Sequence, residues 1–142
     1  MVSLTKSVVV NAPADKVFAY VTEPTTMAEW LVSMVEARDV IGSGEGQQYE
    51  WTYKMAGLQL RGQSTVVEHV PNEVSVHQSI GSIDSSWTLG VEPHGEGTTL
   101  TVEVEYTIPI PVLGKMAERF LLQRDARDLE QSLTNVKEML EA

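Results

Sequence analysis

The three histidines, His69, His77 and His94, are the side chains of this sequence that could bind a metal ion or transfer a proton near neutral pH. Their spacing matches neither H-x-H nor H-E-x-x-H, so we predict no metal site. The sequence has no cysteine, which excludes disulfide frameworks, thiolate metal sites and cysteine nucleophiles. It also lacks the G-x-S-x-G motif of serine hydrolases. No catalytic residue is assigned from a motif, and we expect no cofactor.

Aromatic residues alternate with polar residues from Tyr49 to Met55. Alternate residues of a β-strand point to the same face, so Tyr49, Trp51 and Tyr53 share a face with Met55. The residues between them are polar, which predicts that the aromatic face lines the interior. In such an interior, tyrosine hydroxyls could orient a polar atom of an apolar ligand.

The strand that contains His77 is assigned by the same alternation. We expect Val74, Val76, Gln78 and Ile80 to face inward, because three of the four are apolar. This assignment places His77 on the outer face and makes Gln78 a polar side chain of the interior.

Isolated polar side chains also lie on the inner faces of the last two strands. Ser85 and Trp87 share the inner face of one strand, and Tyr106 lies on the apolar face of the next. A buried polar group needs a hydrogen-bond partner, which is either another core group or ordered water, or a polar atom of a ligand.

The aromatic and polar side chains can meet in one interior only if several strands surround it. A strand is predicted over Ser3–Val10, followed by two short helices, six strands between Val35 and Ile108, and a long helix over Val112–Leu140. The turns between the six strands fall roughly every ten residues, which is typical of an antiparallel meander. A seven-stranded sheet of this kind must twist and curl. Because one helix cannot fill a wide curled sheet, we predict an internal hydrophobic cavity.

The long helix carries two apolar stripes that point in nearly opposite directions. At about 100° per residue, Phe120 and Leu129 lie on opposite sides of the helix. Either the helix bends or breaks near Leu121, or the first stripe faces something other than the sheet. We expect Leu113, Met116 and Phe120 to form a lid over the cavity or a homodimer contact.

The N-terminal segment Ser7–Phe18, with a strand, a small-residue turn containing proline and then Val-Phe, resembles the opening of the START-like (SRPBCC) superfamily. Trp30 is similar to that superfamily's tryptophan before the second strand, and Leu129–Lys137 is similar to its closing L-x-x-x-L-x-x-(L/V)-K pattern. The closest branch is that of polyketide cyclase/dehydrase-like and coenzyme-Q-binding-like proteins. The resemblance covers the whole chain. It implies an α+β helix-grip fold, with residues 1–142 as a single START-like domain.

Members of that superfamily include carriers, sensors, cyclases and quinone chaperones, so the fold does not decide the activity. We predict that the chain binds a small, largely hydrophobic ligand (lipid-, polyketide- or aromatic-like) in its cavity, as a carrier or sensor. The alternatives are a cofactor-independent cyclase or dehydratase, with Tyr53, Tyr106 and Arg61 as candidate acid–base groups, and a protein-interaction module. The predicted ligand contacts are Trp30, Trp51, Tyr53, Met55, Gln78, Ser85, Trp87, Tyr106, Met116 and Phe120.

The charge of the chain limits its partners. Lysine and arginine number 10 and aspartate and glutamate 20, for a net charge of −10. This charge repels phosphate backbones, so we expect no nucleic-acid partner. No apolar run approaches the roughly 20 residues of a membrane span, and the N-terminus lacks the pattern of a signal peptide. We therefore expect a cytoplasmic protein without stable membrane insertion.

Overall fold

The structure is a computed structural model that describes residues 2–55, 57–107 and 114–142. A single turn of 3-10 helix over Pro24–Thr26 separates the two short helices. The other elements, in chain order, are β1 (Val2–Val10), α1 (Ala14–Thr22), α2 (Met27–Trp30), β2 (Met34–Ile41), β3 (Gln48–Met55), β4 (Leu58–Val70), β5 (Val74–Gly81), β6 (Ser85–His94), β7 (Gly97–Tyr106) and α3 (Lys115–Glu141).

The seven strands form one antiparallel sheet in the order β1-β7-β6-β5-β4-β3-β2. Strands β2 to β7 are a meander in which each strand pairs with the next along the chain, and β1 joins the free edge of β7. This confirms the predicted helix-grip fold, in which a curled sheet surrounds a long C-terminal helix.

The second half of α3 is held against the sheet and α2. Leu129, Leu133 and Val136 are buried in the main core, and α3 packs against β1 and α2. Ser132 accepts a hydrogen bond from the backbone N–H of Val32 at 3.0 Å. The Asn135 side chain donates to the carbonyl oxygen of Trp30 at 3.1 Å. These bonds fix the chain on both sides of Leu31 and so position Trp30.

The first turns of α3, from Lys115 to Phe120, are exposed. The helix runs without interruption from Lys115 to Glu141, so the break that the sequence allowed near Leu121 is absent. The side chain of Met116 is 87% exposed and that of Phe120 is 63% exposed. The alternative prediction, that the first stripe does not face the sheet, is therefore correct for these two residues.

The assignment of the two faces of β5 is wrong. Ser75, His77 and Ser79 are buried on the inner face, whereas Gln78 and Ile80 are exposed. The alternation itself is regular, but the more polar set points inward. The reason is that the inner face of β5 borders a cavity rather than a packed helix, so it need not be apolar.

Candidate functional site

A cavity of about 110 Å³ lies between the curled sheet and α3. A cavity needs only about 10–15 Å³ by this measure to hold one water molecule, so this one has room for a small ligand. Its wall is largely apolar and includes aromatic rings from α2, β3, β6 and β7. The cavity is thus the space that the single helix leaves unfilled inside the sheet.

Most of the predicted contact residues line this cavity. The seven that do are Trp30, Trp51, Tyr53, Met55, Ser85, Trp87 and Tyr106. The alternation in β3, β6 and β7 therefore correctly predicted which side chains reach the interior. Their part in ligand binding stays a prediction.

Three of the predicted contact residues do not line the cavity. Gln78 is on the outer face of β5, and Met116 and Phe120 point to solvent. In the described part of the chain, these two α3 residues do not form a lid. Leu113 lies outside the described residues. The homodimer contact stays a prediction.

One wall of the cavity is formed by polar side chains of β3, β4 and β5, and we call Tyr49, Ser64, His77 and Ser79 the polar strip. The Tyr49 hydroxyl lies 2.8 Å from His77 Nδ1, and the Ser75 hydroxyl lies 2.9 Å from His77 Nε2. The Oγ atoms of Ser64 and Ser79 are 2.5 Å apart. The buried groups of the strip therefore form hydrogen bonds with one another and with Ser75.

The polar strip is uncharged at neutral pH. Burial, with a smaller contribution from His69, lowers the pKa of His77 to about 4. Burial also raises the pKa of Tyr49 to about 12, although the nearby Ser64 hydroxyl counteracts part of this rise. His77 is therefore a neutral imidazole, with one nitrogen that donates a hydrogen bond and one that accepts.

The α3 side of the cavity is charged and partly exposed. The Tyr106 hydroxyl donates a hydrogen bond to Asp125 Oδ2. Burial and the neighbouring Asp128 raise the pKa of Asp125, whereas the bond from Tyr106 and the charge of Arg124 oppose the rise. Burial, together with Asp125 and Asp128, raises the pKa of Tyr53 to about 12. Tyr106 and Asp125 thus form a hydrogen-bonded pair of a phenol and a carboxyl group at this side of the cavity.

Two of the three tryptophans that line the cavity have an unpaired indole N–H. Trp30 and Trp51 are 1% and 4% exposed, and no acceptor for either N–H lies among the described residues. By contrast, the N–H of Trp87 donates to Ser85 Oγ at 3.2 Å. A buried donor without an acceptor costs about 1–3 kcal/mol, so these two indoles call for an explanation.

Gly62 determines the position of the Trp51 ring. The two residues are cross-strand partners in β3 and β4. A Cβ atom at Gly62 would lie 2.3 Å from Trp51 Cζ2 and 2.3 Å from the carbonyl oxygen of Ile80. The indole therefore packs on the β4 backbone in a space that only glycine leaves open.

Sequence reasoning missed His77, Ser64, Ser79 and Asp125 as cavity residues. The regular Ser75-His77-Ser79 alternation was a usable signal, because every second residue of β5 is polar. Choosing which face of β5 is inside required knowing that the cavity, and not a helix, covers it. Asp125 had no such signal in the sequence, because a carboxylate on a helix is usually solvated. Its contact with Tyr106 joins α3 to β7 and is therefore not visible in either segment alone.

The described residues show no cluster of three or more histidine, cysteine, aspartate or glutamate side chains that could hold a metal ion. In the same part of the chain, no helix is long and apolar enough to cross a membrane.

Comparison with known proteins agrees with this architecture. The sequence model of the family described as "Polyketide cyclase / dehydrase and lipid transport" matches residues 1–141. The structure of TTHA0849 from Thermus thermophilus superposes with a TM-score of 0.82 at 17% identity, covering 97% of this chain and 96% of that one. A START superfamily protein from Mycobacterium smegmatis gives a TM-score of 0.78 at 19% identity, covering 97% and 98% of the two chains.

A further similar structure is the di-domain ARO/CYC protein StfQ from the steffimycin biosynthetic pathway. Its TM-score is 0.76 at 18% identity, over 98% of this chain and 50% of StfQ. A search of curated protein sequences gave no significant match. At these identities the structural similarities show a shared fold.

Proposed function

Because this chain belongs to the polyketide cyclase / dehydrase and lipid transport family, we propose that its cavity binds a small, largely hydrophobic ligand, as a carrier or a sensor. The observation that supports this proposal is the cavity of about 110 Å³ inside the folded core. Such a space costs stability when it is empty, because the side chains around it lack packing partners on one side. A ligand of matching shape restores these contacts.

The composition of the wall supports an apolar ligand. Trp30, Trp51, Leu89 and Val104 all line the cavity and are at most 5% exposed. Removing apolar surface from water contributes about 25 cal/mol per Å², so a ligand enclosed by these side chains gains most of its affinity from burial. The few polar groups would then set its orientation.

The proposal is tested by blocking the cavity. Ser85 lines the cavity, whereas Ser86 pairs with the outward-facing Gln78. We expect Ser85→Phe to abolish binding, because the added ring occupies the ligand's space, and Ser86→Phe to bind as the unmodified protein does. Native mass spectrometry of freshly purified protein, followed by thermal-shift titration with lipids, quinones and aromatic polyketides, measures both.

The proposal is wrong if no compound of the panel binds or raises the melting temperature of the unmodified protein. Equal binding by Ser85→Phe and the unmodified protein would also contradict it, because the ligand would then lie outside this cavity.

A second candidate function is a cyclase or dehydratase that acts on such a ligand, and the Tyr106–Asp125 pair favours it. The pair lies at the cavity, and burial raises the pKa of Asp125 above its ordinary value, which makes the carboxylate a stronger base. In this proposal Asp125 removes the proton next to a substrate carbonyl, and the Tyr106 hydroxyl orients the carboxylate.

Turnover of an enolisable aromatic polyketone tests this second candidate. We expect Asp125→Asn to lower turnover by about 10²-fold while binding persists, since general-base catalysis contributes about 10²–10⁴-fold. Asp128→Asn is the comparison variant, because Asp128 lines the same side of the cavity without receiving the Tyr106 hydrogen bond. It should lower turnover far less than Asp125→Asn, since it keeps the base and removes only one of the causes that raise its pKa. Unchanged turnover in Asp125→Asn would exclude the acid–base role of the pair.

A further inference from the structure

We propose that a row of hydrogen-bonded side chains carries protons between solvent and the cavity, through the end of the sheet opposite the cavity mouth. The members of this row, which we call the proton path, are His69, Ser75, His77 and Tyr49. The path goes beyond the proposed function, although its use by a bound ligand rests on that function. It assigns a role to Ser75 and to the buried His77, which the two candidate functions do not use.

The proton path is continuous from the surface of the protein to the cavity. His69 is half-buried and does not line the cavity. Its Nδ1 lies 3.5 Å from Ser75 Oγ, which lies 2.9 Å from His77 Nε2. His77 Nδ1 lies 2.8 Å from the Tyr49 hydroxyl, and His77 and Tyr49 both line the cavity. Each contact joins a ring nitrogen to a hydroxyl oxygen, and a hydroxyl both donates and accepts, so every step has a donor and an acceptor.

The register of the sheet places these four side chains in a row. His69 and Ser75 are cross-strand partners in β4 and β5. Ser75 and His77 are two positions apart on β5, so they point to the same face. Tyr49 comes from β3 and reaches His77 across the intervening strand β4. The row therefore depends on strand pairing, and no side-chain rearrangement is needed to complete it.

The path begins far from the mouth of the cavity. Lys54 and Arg124 are exposed and line the cavity, so the cavity meets solvent beside them. Lys54 pairs with Gln59 near the start of β4, whereas His69 lies ten residues further along the same strand. Ten residues of β-strand span roughly 30 Å. A ligand that fills the mouth therefore leaves His69 in contact with solvent.

A proton moves along the path when each group accepts one proton and passes one on. A proton from solvent binds His69 Nε2, and the proton of His69 Nδ1 passes to Ser75 Oγ. The Ser75 hydroxyl proton passes to His77 Nε2, and the proton of His77 Nδ1 passes to the Tyr49 oxygen. The Tyr49 hydroxyl proton then passes to a ligand atom in the cavity. One proton enters and one leaves, every member ends neutral, and the reverse order moves a proton out.

His77 suits this role because it is uncharged. Burial lowers its pKa to about 4, so the ring does not retain a second proton. A neutral imidazole accepts at one nitrogen while it donates from the other. In a dehydration, Asp125 on the α3 side would remove one proton from the ligand, and the path would supply the proton with which the hydroxyl group leaves as water.

The experiment measures how fast the ring N–H of His77 exchanges its proton with water. The protein is labelled with ¹⁵N-histidine, and magnetisation transfer from water is followed by NMR without any ligand. Ser75→Ala removes the hydroxyl between the two histidines, and we expect at least about tenfold slower exchange because one link of the path is lost. His69→Phe keeps a ring beside Phe18 and removes the entry nitrogens, so it should slow the exchange similarly. If Ser75→Ala does not fold, His69→Phe decides the question.

Two controls exclude other routes for the proton. Ser85→Phe fills the cavity but leaves the path intact, since Ser85 lines the cavity and is not a member. It should leave the exchange of His77 unchanged. The backbone N–H of the fully buried Leu100 reports opening of the core. A destabilised variant would exchange faster at both Leu100 and His77, so slower exchange at His77 cannot result from damage to the fold.

The outcomes separate the proton path from the proposed function. Unchanged exchange in Ser75→Ala or in His69→Phe would overturn the path. Slower exchange in Ser85→Phe would also overturn it, because the protons would then enter through the mouth of the cavity. Slower exchange in both Ser75→Ala and His69→Phe, together with no binding by any lipid, quinone or polyketide, would support the path and contradict the proposed function.

Discussion

Strands β5 and β7 belong to the same sheet and turn alternate residues toward the same interior, yet their inner faces differ in chemistry. The inner face of β7 presents Leu100 and Val102, which are fully buried and do not line the cavity. The inner face of β5 presents the equally buried Ser75, His77 and Ser79.

The difference follows from what covers each strand. Helix α1 packs against β6 and β7, and α3 packs against β1 at the edge of β7. The His77 and Ser79 side chains of β5 border the cavity instead. An inner face must therefore be apolar where another element packs on it. Where it lines a cavity, hydrogen-bonded polar groups are tolerated, and they become available to a ligand.

The largest effect should come from shortening a side chain on the packed strand. We expect Leu100→Ala to lower the free energy of unfolding by about 3–4 kcal/mol, because it opens a hole in a well-packed core. Ser79→Ala, on the cavity wall, removes one hydrogen bond. Apart from that lost bond, we expect it to lower the free energy of unfolding by less than about 1 kcal/mol. Urea unfolding of both variants measures the difference, and equal losses would refute the distinction between the two strands.

The polar wall should also make stability depend on pH. The pKa of His77 is lowered from 6.5 to about 4 by burial. Between these values the unfolded chain binds a proton that the folded chain does not, so stability is full above pH 6.5 and falls as the pH drops toward 4. The loss is about 3 kcal/mol.

The comparison of unmodified protein with His77→Gln isolates this effect, because Asp125, whose pKa is raised, contributes with the opposite sign in both proteins. We expect the difference in unfolding free energy between the two to shrink as the pH falls from 6.5 to 4. A pH-independent difference would contradict the neutral buried histidine.

Closing the space beside Trp51 should have an intermediate effect. We expect Gly62→Ala to destabilise by about 2 kcal/mol, since its Cβ cannot fit between the indole and the Ile80 carbonyl. Gly90→Ala is the control, because its Cβ would meet only the Glu73 carbonyl at 3.7 Å and the Thr101 carbonyl at 4.0 Å. Gly90→Ala should therefore change stability by less than about 1 kcal/mol. Calorimetry of both variants measures the effect, and equal melting temperatures would show that the ring is not confined there.

The smallest effect on stability is expected at the start of α3, where Met116 and Phe120 neither pack on the sheet nor line the cavity. Phe120→Ser should alter the unfolding free energy by less than about 0.5 kcal/mol, as exposed substitutions usually do. Its role in a homodimer stays a prediction of the sequence. Sedimentation should show a dimer that Phe120→Ser weakens, and an unmodified protein that remains monomeric at all concentrations would rule out the contact.

Much of the fold could be predicted because local patterns and tertiary environment agree. The turns of the meander, the apolar alternation of β7 and the aromatic alternation of β3 each indicate the structure that forms. The same agreement placed Trp51, Tyr53 and Tyr106 at the cavity. Each of these side chains is aromatic, and burial of apolar surface is the dominant driving force of folding.

The prediction of the inner face failed in β5, where the buried residues are the polar ones. Gln78 was expected inside because its strand neighbours are valine and isoleucine, but Ile80 is 64% exposed and His77 is buried. No rule of alternation decides such a case, because both faces of the strand alternate equally well. The partner of His77, the Tyr49 hydroxyl, lies 28 residues away in the chain and becomes a neighbour only across the sheet.

The sequence by itself determined the order of the elements, the curled sheet and the requirement for an interior that one helix cannot fill. Those properties depend on periodicity, turn residues and chain length, which are local. Only the tertiary structure decided which polar groups enter that interior, that Asp125 meets Tyr106, and that the indoles of Trp30 and Trp51 are buried without acceptors among the described residues. Hydrogen-bond partners depend on distances between segments far apart in the chain, and no local pattern contains them.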